Sequence, residues 1–158
     1  MKAGWVPAIT IIATMAFGHA AFAASSEAVV RFTKGEFKDV KERVLQAIEN
    51  RGLVLNYTAR IGAMLERTGK DIGAAQRVFS EAELLEFCSA KLSRETMEAD
   101  PRSIVLCPYG IAIYVLPKEP GKVYLAYRRQ GVSGAGRSAK ARQDVDRLLA
   151  DIVADALK

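Results

Sequence analysis

Hydrophobic periodicity beyond residue 27 alternates between the strand and helix patterns. Apolar residues at every second position predict a first strand over 28–32. Thr33 and Glu36 stand at capping-box spacing, and the apolar positions behind them repeat every three or four residues. They predict a helix over 35–50, with Gly52 where a left-handed C-terminal cap is favoured.

The middle of the chain is patterned less evenly. Alternation from Leu53 to Tyr57 predicts a second strand, followed by a short helix over 60–68 and a loop over 70–80. The apolar run that comes next fits a buried strand over 83–88 that leads into a helix over 90–99.

One helix over 81–98 is the competing interpretation of that run, because periodicity alone does not separate a short buried strand from a buried helix. In either case the helix is expected to end at Asp100-Pro101, since the residue before a proline avoids helical angles.

Three apolar or alternating runs follow at 104–107, 111–116 and 122–128, and each predicts a strand. Turn-forming residues at 117–121 predict that the last two strands form an antiparallel hairpin. A final amphipathic helix is predicted over 139–157. The sum is an α+β domain with a largely antiparallel sheet and helices packed on one sheet face.

The N-terminus has the order of a secretory signal peptide. Lys2 precedes an apolar stretch at 6–17, and Ala21-Phe22-Ala23 matches an A-x-A cleavage site. Cleavage after Ala23 would leave 24–158 as a single exported domain, periplasmic or secreted, and retention as an N-terminal anchor is the alternative.

The charge and the histidine content exclude several functions for such a mature chain. Lys2 is the only charged residue of 1–23, so 22 basic and 18 acidic side chains remain, a mild excess that does not predict nucleic-acid binding. No membrane association is expected after cleavage. The single histidine, His19, lies in the signal segment, which excludes imidazole-dependent catalysis and histidine metal ligands.

Two sequence segments carry a family resemblance: Glu86 to Leu92 with its cysteine, and Val105 to Tyr114 with its Cys107-Pro108 pair. Together with Asp100-Pro101 they resemble the family called domain of unknown function 302, over nearly the whole mature chain. The resemblance implies a fold similar to the TATA-binding-protein-like class, β-α-β4-α, and often a homodimer. It implies no activity, and the cysteine stands one place earlier relative to the proline than in many members.

Cys88 and Cys107 are the only cysteines, and export favours a disulfide between them. If 83–88 and 104–107 are neighbouring parallel strands, both sulfurs lie at the same end of the sheet and a disulfide between them is geometrically possible. As free thiols they could instead bind Cu(I), carry a persulfide, or present Cys107-Pro108 as a haem thiolate, with Tyr109, a methionine or water as the second axial ligand. Two inert buried thiols are the third interpretation.

The segment 131–138 has phosphate-loop spacing with arginine in place of lysine, and it makes Gly134, Gly136, Arg137 and Ser138 a candidate anion loop. Arginine is a poor substitute for that lysine, so nucleotide hydrolysis is not expected. A surface loop with Ser138 as the helix N-cap is the simpler interpretation.

Tyrosines and carboxylates form two further sets. The aromatic side chains could line a pocket, although strand spacing favours core packing. They are Phe87, Tyr109, Tyr114, Tyr124 and Tyr127. The acidic run is interpreted as a solvated face and comprises Asp71, Glu81, Glu83 and Glu86.

No catalytic residues are predicted from these patterns. The sequence favours a non-catalytic binding or accessory domain, centred on Cys88, Cys107, Pro108 and Tyr109, with an unidentified small ligand or protein partner. A thiol-dependent redox, sulfur-carrying or haem- or metal-binding protein is the alternative, and the sequence names no cofactor.

Overall fold

A computed structural model describes residues 27–74, 76–131 and 136–158, and its strands form one sheet. The strands are Ala28–Lys34 (β1), Val54–Ala59 (β2), Glu81–Cys88 (β3), Tyr109–Val115 (β4) and Lys122–Arg128 (β5). The helices are Phe37–Glu49 (α1), Ile61–Gly69 (α2), Ala90–Ala99 (α3), the 3-10 helix Pro101–Leu106, and Arg137–Ala156 (α4). The predicted signal peptide and Gly134 lie outside the described residues.

The sheet order is β1-β5-β4-β3-β2, and every neighbouring pair is antiparallel. The predicted α+β class with a largely antiparallel sheet is therefore confirmed, as is the hairpin of β4 and β5. The strand β3 followed by α3 is also confirmed, so the alternative of one helix over 81–98 is wrong. No described helix is long and apolar enough to cross a membrane.

Helices cover one face of the sheet and leave the other face largely uncovered. Side chains alternate along a strand, so Ile111, Ile113 and Leu125 share one face, where they are fully buried among residues of α1 and α4. The intervening residues of β4 and β5 lie on the opposite face, where they are half-buried or exposed. We call this second surface the open face.

The predicted strand at 104–107 is wrong. Pro101 begins a 3-10 helix whose N-cap is Asp100, with the carboxylate accepting a hydrogen bond from the Arg102 N–H. Its last turn closes when the Cys107 N–H donates to the Ile104 carbonyl at 3.2 Å. This local capping decides the conformation, and β3 consequently has β4 rather than a parallel strand beside it.

Two helix starts also differ from expectation. The predicted capping box does not form, because β1 continues through Thr33 to Lys34 and Glu36 becomes the N-cap of α1 without a side-chain hydrogen bond. Gly136 is the N-cap of α4, at φ +63°, and Ser138 lies inside the helix rather than capping it.

Candidate functional site

The two cysteines meet at one end of the sheet. Cys88 ends β3, and Cys107 stands between the 3-10 helix and β4. Phe87 pairs with Tyr109 in the β3–β4 register, so the end of β3 lies beside the start of β4. Both cysteines are half-buried free thiols in this structure. Antiparallel pairing therefore brings together two residues that are far apart in sequence.

Helix α3 adds hydroxyl groups to this pair. Ser89 caps the helix by accepting a hydrogen bond from the Leu92 N–H, which fixes the position of Ser93 one turn later. The Ser93 Oγ lies 3.6 Å from the Cys107 Sγ and 3.2 Å from the Tyr109 hydroxyl. We call Cys88, Ser93, Cys107 and Tyr109 the thiol cluster.

The electrostatics of the thiol cluster favour the protonated form of Cys88. Burial, then a hydrogen bond with Cys107 and repulsion from its charge, raise the pKa of the Cys88 thiol to about 11. The nearby Glu86 carboxylate adds to this shift, while a hydrogen bond from the Tyr109 backbone opposes it. Burial likewise raises the pKa of the Tyr109 hydroxyl. Cys88 is thus a protonated thiol at neutral pH.

The residues considered as haem or metal ligands do not face one common site. The Tyr109 side chain is in the core, 2% exposed, with its hydroxyl engaged by Ser93. Among the described residues, no three or more histidine, cysteine or carboxylate side chains are grouped as metal ligands. Two neighbouring thiols can be oxidised reversibly to a disulfide, and this reaction is the one that the arrangement favours most directly.

A groove on the open face adjoins the thiol cluster. Its floor consists of Ala112 and Ala126, with Gly110 beneath the Leu84 side chain, and it has a volume of about 350 Å³. The other lining residues are Leu106, Pro108, Glu86, Arg128, Gln130, Ala28, Tyr109 and Tyr127.

This groove was not predicted, although small residues stand at alternate positions of β4 in the sequence. Only the strand order places Ala126 beside Ala112, and these two small side chains form the floor.

The five aromatic residues do not line one pocket together, because only Tyr109 and Tyr127 border the groove and both side chains are buried. Phe87 and Tyr109 pack edge to face in the core, with ring centroids 6.3 Å apart. Tyr114 and Tyr124 stack on the open face at 5.0 Å, while Tyr127 is buried on the other face. The packing interpretation of these rings is therefore the correct one.

The acidic run is not one solvated face. Glu83 points to the helix-covered face, where its carboxylate pairs with Lys41 of α1 at 2.5 Å. Glu86 lies on the open face and lines the groove. The alternation of a strand separates residues that looked like a single cluster in the sequence.

The described part of the candidate anion loop offers no free arginine. Arg137 pairs with Glu98 of α3 at 3.2 Å, and Gly136 and Ser138 begin α4 as described above. The charge that a phosphate would need is therefore already neutralised by a carboxylate.

Comparisons with known proteins agree with the fold. No curated protein matches the chain. A solved structure described as the uncharacterized conserved protein DUF302 from Bacillus stearothermophilus matches with a TM-score of 0.69 at 14% identity. The match covers 85% of this chain and 100% of that one, and it establishes similarity of fold. The family model for the domain of unknown function DUF302 matches residues 29–156, and the chain therefore belongs to the DUF302 family.

Proposed function

We propose that this protein is an exported accessory domain whose functional centre is a reversible dithiol–disulfide pair formed by Cys88 and Cys107. The partner is a disulfide-bearing molecule. The Cys107 thiolate attacks one sulfur of that disulfide, which breaks the partner's S–S bond, forms a mixed disulfide and releases one thiolate.

The Cys88 thiol then loses its proton to solvent and attacks the Cys107 sulfur. This step forms the Cys88–Cys107 bond and releases the second partner thiolate. The protein has lost two electrons and two protons, and the partner disulfide has gained the two electrons.

The observation that carries the proposal is the position of the two cysteines, at the end of β3 and just before β4, in two strands that pair at Phe87 and Tyr109. Cys107 also contributes to the raised pKa of the Cys88 thiol. The Ser93 hydroxyl, 3.6 Å from the Cys107 Sγ, can donate a hydrogen bond to the Cys107 thiolate while it attacks. An exported chain meets oxidising conditions, in which such a pair can close.

Intact mass spectrometry of the full-length chain, expressed through a secretion route, tests the proposal. After equilibration with oxidised glutathione, the protein should have lost two hydrogens and should react with an alkylating agent only after reduction. The same spectrum should show that residues 1–23 have been removed.

Cys88→Ser and Cys107→Ser are the matched controls: Cys88→Ser should stop at a glutathione adduct on Cys107, whereas Cys107→Ser, which keeps only the protonated Cys88 thiol, should form far less adduct. Free alkylation of both cysteines after oxidation would overturn the dithiol proposal. Extra mass with a visible absorption band would overturn it in favour of a bound haem or soft metal, and retention of residues 1–23 in the mature protein would overturn cleavage.

A further inference from the structure

The groove on the open face contains two charges of opposite sign without ion-pair partners. Glu86 pairs with Gly110 across β3 and β4. Arg128 follows Tyr127, the partner of Ile111, and so lies on the other side of Gly110. Because neighbouring strands are about 4.8 Å apart, the two charged residues are separated at the backbone by roughly 10 Å.

Neither side chain is neutralised by the fold. In the described part of the chain, neither the Glu86 carboxylate nor the Arg128 guanidinium makes an ion pair or a side-chain hydrogen bond. Glu86 is half-buried in the groove lining, where its carboxylate remains accessible to a cationic group of a ligand.

A third polar group in the lining also lacks a partner. Gln130 is 8% exposed, and its amide nitrogen donates to the Arg128 carbonyl at 3.1 Å. Its Oε1 is buried and accepts no hydrogen bond. The fold therefore leaves an unsatisfied acceptor beside the groove, which is unfavourable unless a donor reaches it.

The groove is joined to the thiol cluster through the chain itself. Leu106 and Pro108 both line the groove and stand on either side of Cys107. Glu86 lies two residues before Cys88 and contributes to the raised pKa of its thiol. A molecule in the groove therefore lies beside the residues on either side of Cys107, although neither cysteine is itself among the lining residues.

We propose that the groove binds a small zwitterionic thiol or its disulfide, of the cysteine or glutathione class. The ligand carboxylate pairs with Arg128 and its ammonium group with Glu86, while the Ala112 and Ala126 floor admits its backbone. This inference rests on the proposed dithiol function, because it names the molecule whose disulfide Cys107 attacks.

Binding of S-methylglutathione, measured by isothermal titration calorimetry, tests the groove without any redox step, because its sulfur cannot form a disulfide. The full-length secreted protein and its Cys88→Ser/Cys107→Ser double variant should bind it equally well. Arg128→Gln and Glu86→Gln should each weaken binding at least about tenfold, since each removes a charge-assisted contact.

Lys38→Gln is the control, because that lysine side chain is 85% exposed on α1, outside the groove lining. Ala112→Trp, which fills the floor, should abolish binding, and urea denaturation checks that each variant is folded. Absent binding, or binding unchanged by Arg128→Gln, overturns the inference but leaves the mass-spectrometric test of the dithiol untouched. A dimer that Ala112→Trp dissociates would also overturn it, since a second copy would then cover the groove.

Discussion

Oxidation of the thiol cluster should stabilise the protein, and the structure sets the size of the effect. A Cys88–Cys107 bond closes a loop of about 20 residues, which contains α3 and the 3-10 helix. Loop closure in the unfolded chain then contributes roughly 3 kcal/mol to the free energy of unfolding on the chain-entropy model. Little native rearrangement opposes this gain, because β3 and β4 already hold the two ends side by side.

Urea denaturation of the oxidised and the reduced protein measures the difference. At constant pH, the oxidised form should unfold at a higher urea concentration, and its melting temperature should rise by about 10 °C for a domain of this size. The Cys88→Ser/Cys107→Ser double variant should show no dependence on oxidant. Equal stability of the two redox forms, or a less stable oxidised form, would refute the claim that the fold brings the sulfurs into bonding position.

Three further perturbations follow from burial and charge. Leu125→Ala should lower the free energy of unfolding by about 3 kcal/mol, because the Leu125 side chain is fully buried between the sheet and the helices. Val30→Ala on the open face is the control and should lower it far less, and urea denaturation of the two variants measures the difference. Lys41→Met should cost about 1–3 kcal/mol by leaving the Glu83 carboxylate unpaired, and adding Glu83→Gln should recover part of that loss in a double-mutant cycle; simple additivity would contradict the ion pair. In the reduced protein, the raised pKa of Cys88 should leave the contribution of this thiol to the free energy of unfolding intact below pH 9 and remove it as the pH rises towards about 11. The urea midpoint should therefore fall further between pH 8 and 11 than that of Cys88→Ala, and an equal fall in the two proteins would contradict the pKa shift.

The two proposals assign reaction to the ends of β3 and β4, and recognition to side chains that β3, β4 and β5 place on the open face. Because the groove lining includes both neighbours of Cys107 but neither cysteine, a groove variant that leaves the disulfide intact separates the two proposals.

Local pattern was sufficient for most of the secondary structure. The period of apolar positions predicts α1 and α4 to within a few residues, because an amphipathic helix must bury one face whatever it packs against. The turn residues at 117–121 predict the β4–β5 hairpin for an equally local reason. The family also follows from the sequence, over residues 29–156.

Local pattern failed where short-range hydrogen bonds or distant strands decide the outcome. The apolar run at 104–107 looks like a strand, but the cap formed by Asp100 makes its first three residues part of a 3-10 helix. The adjacency of Cys88 and Cys107 was expected from parallel strands, and it arises instead from antiparallel β3 and β4.

The composition and periodicity of the chain thus determine the α+β class, the order of most elements and the presence of two thiols. Alternation within β3 separates Glu83 from Glu86 once the strand is formed, whereas the strand order alone decides which residues meet across the sheet and so places Glu86 and Arg128 on either side of Gly110. The physical reason is that side-chain alternation along a strand is a local property, whereas the neighbour of each strand is chosen by the packing of the whole sheet against α1 and α4.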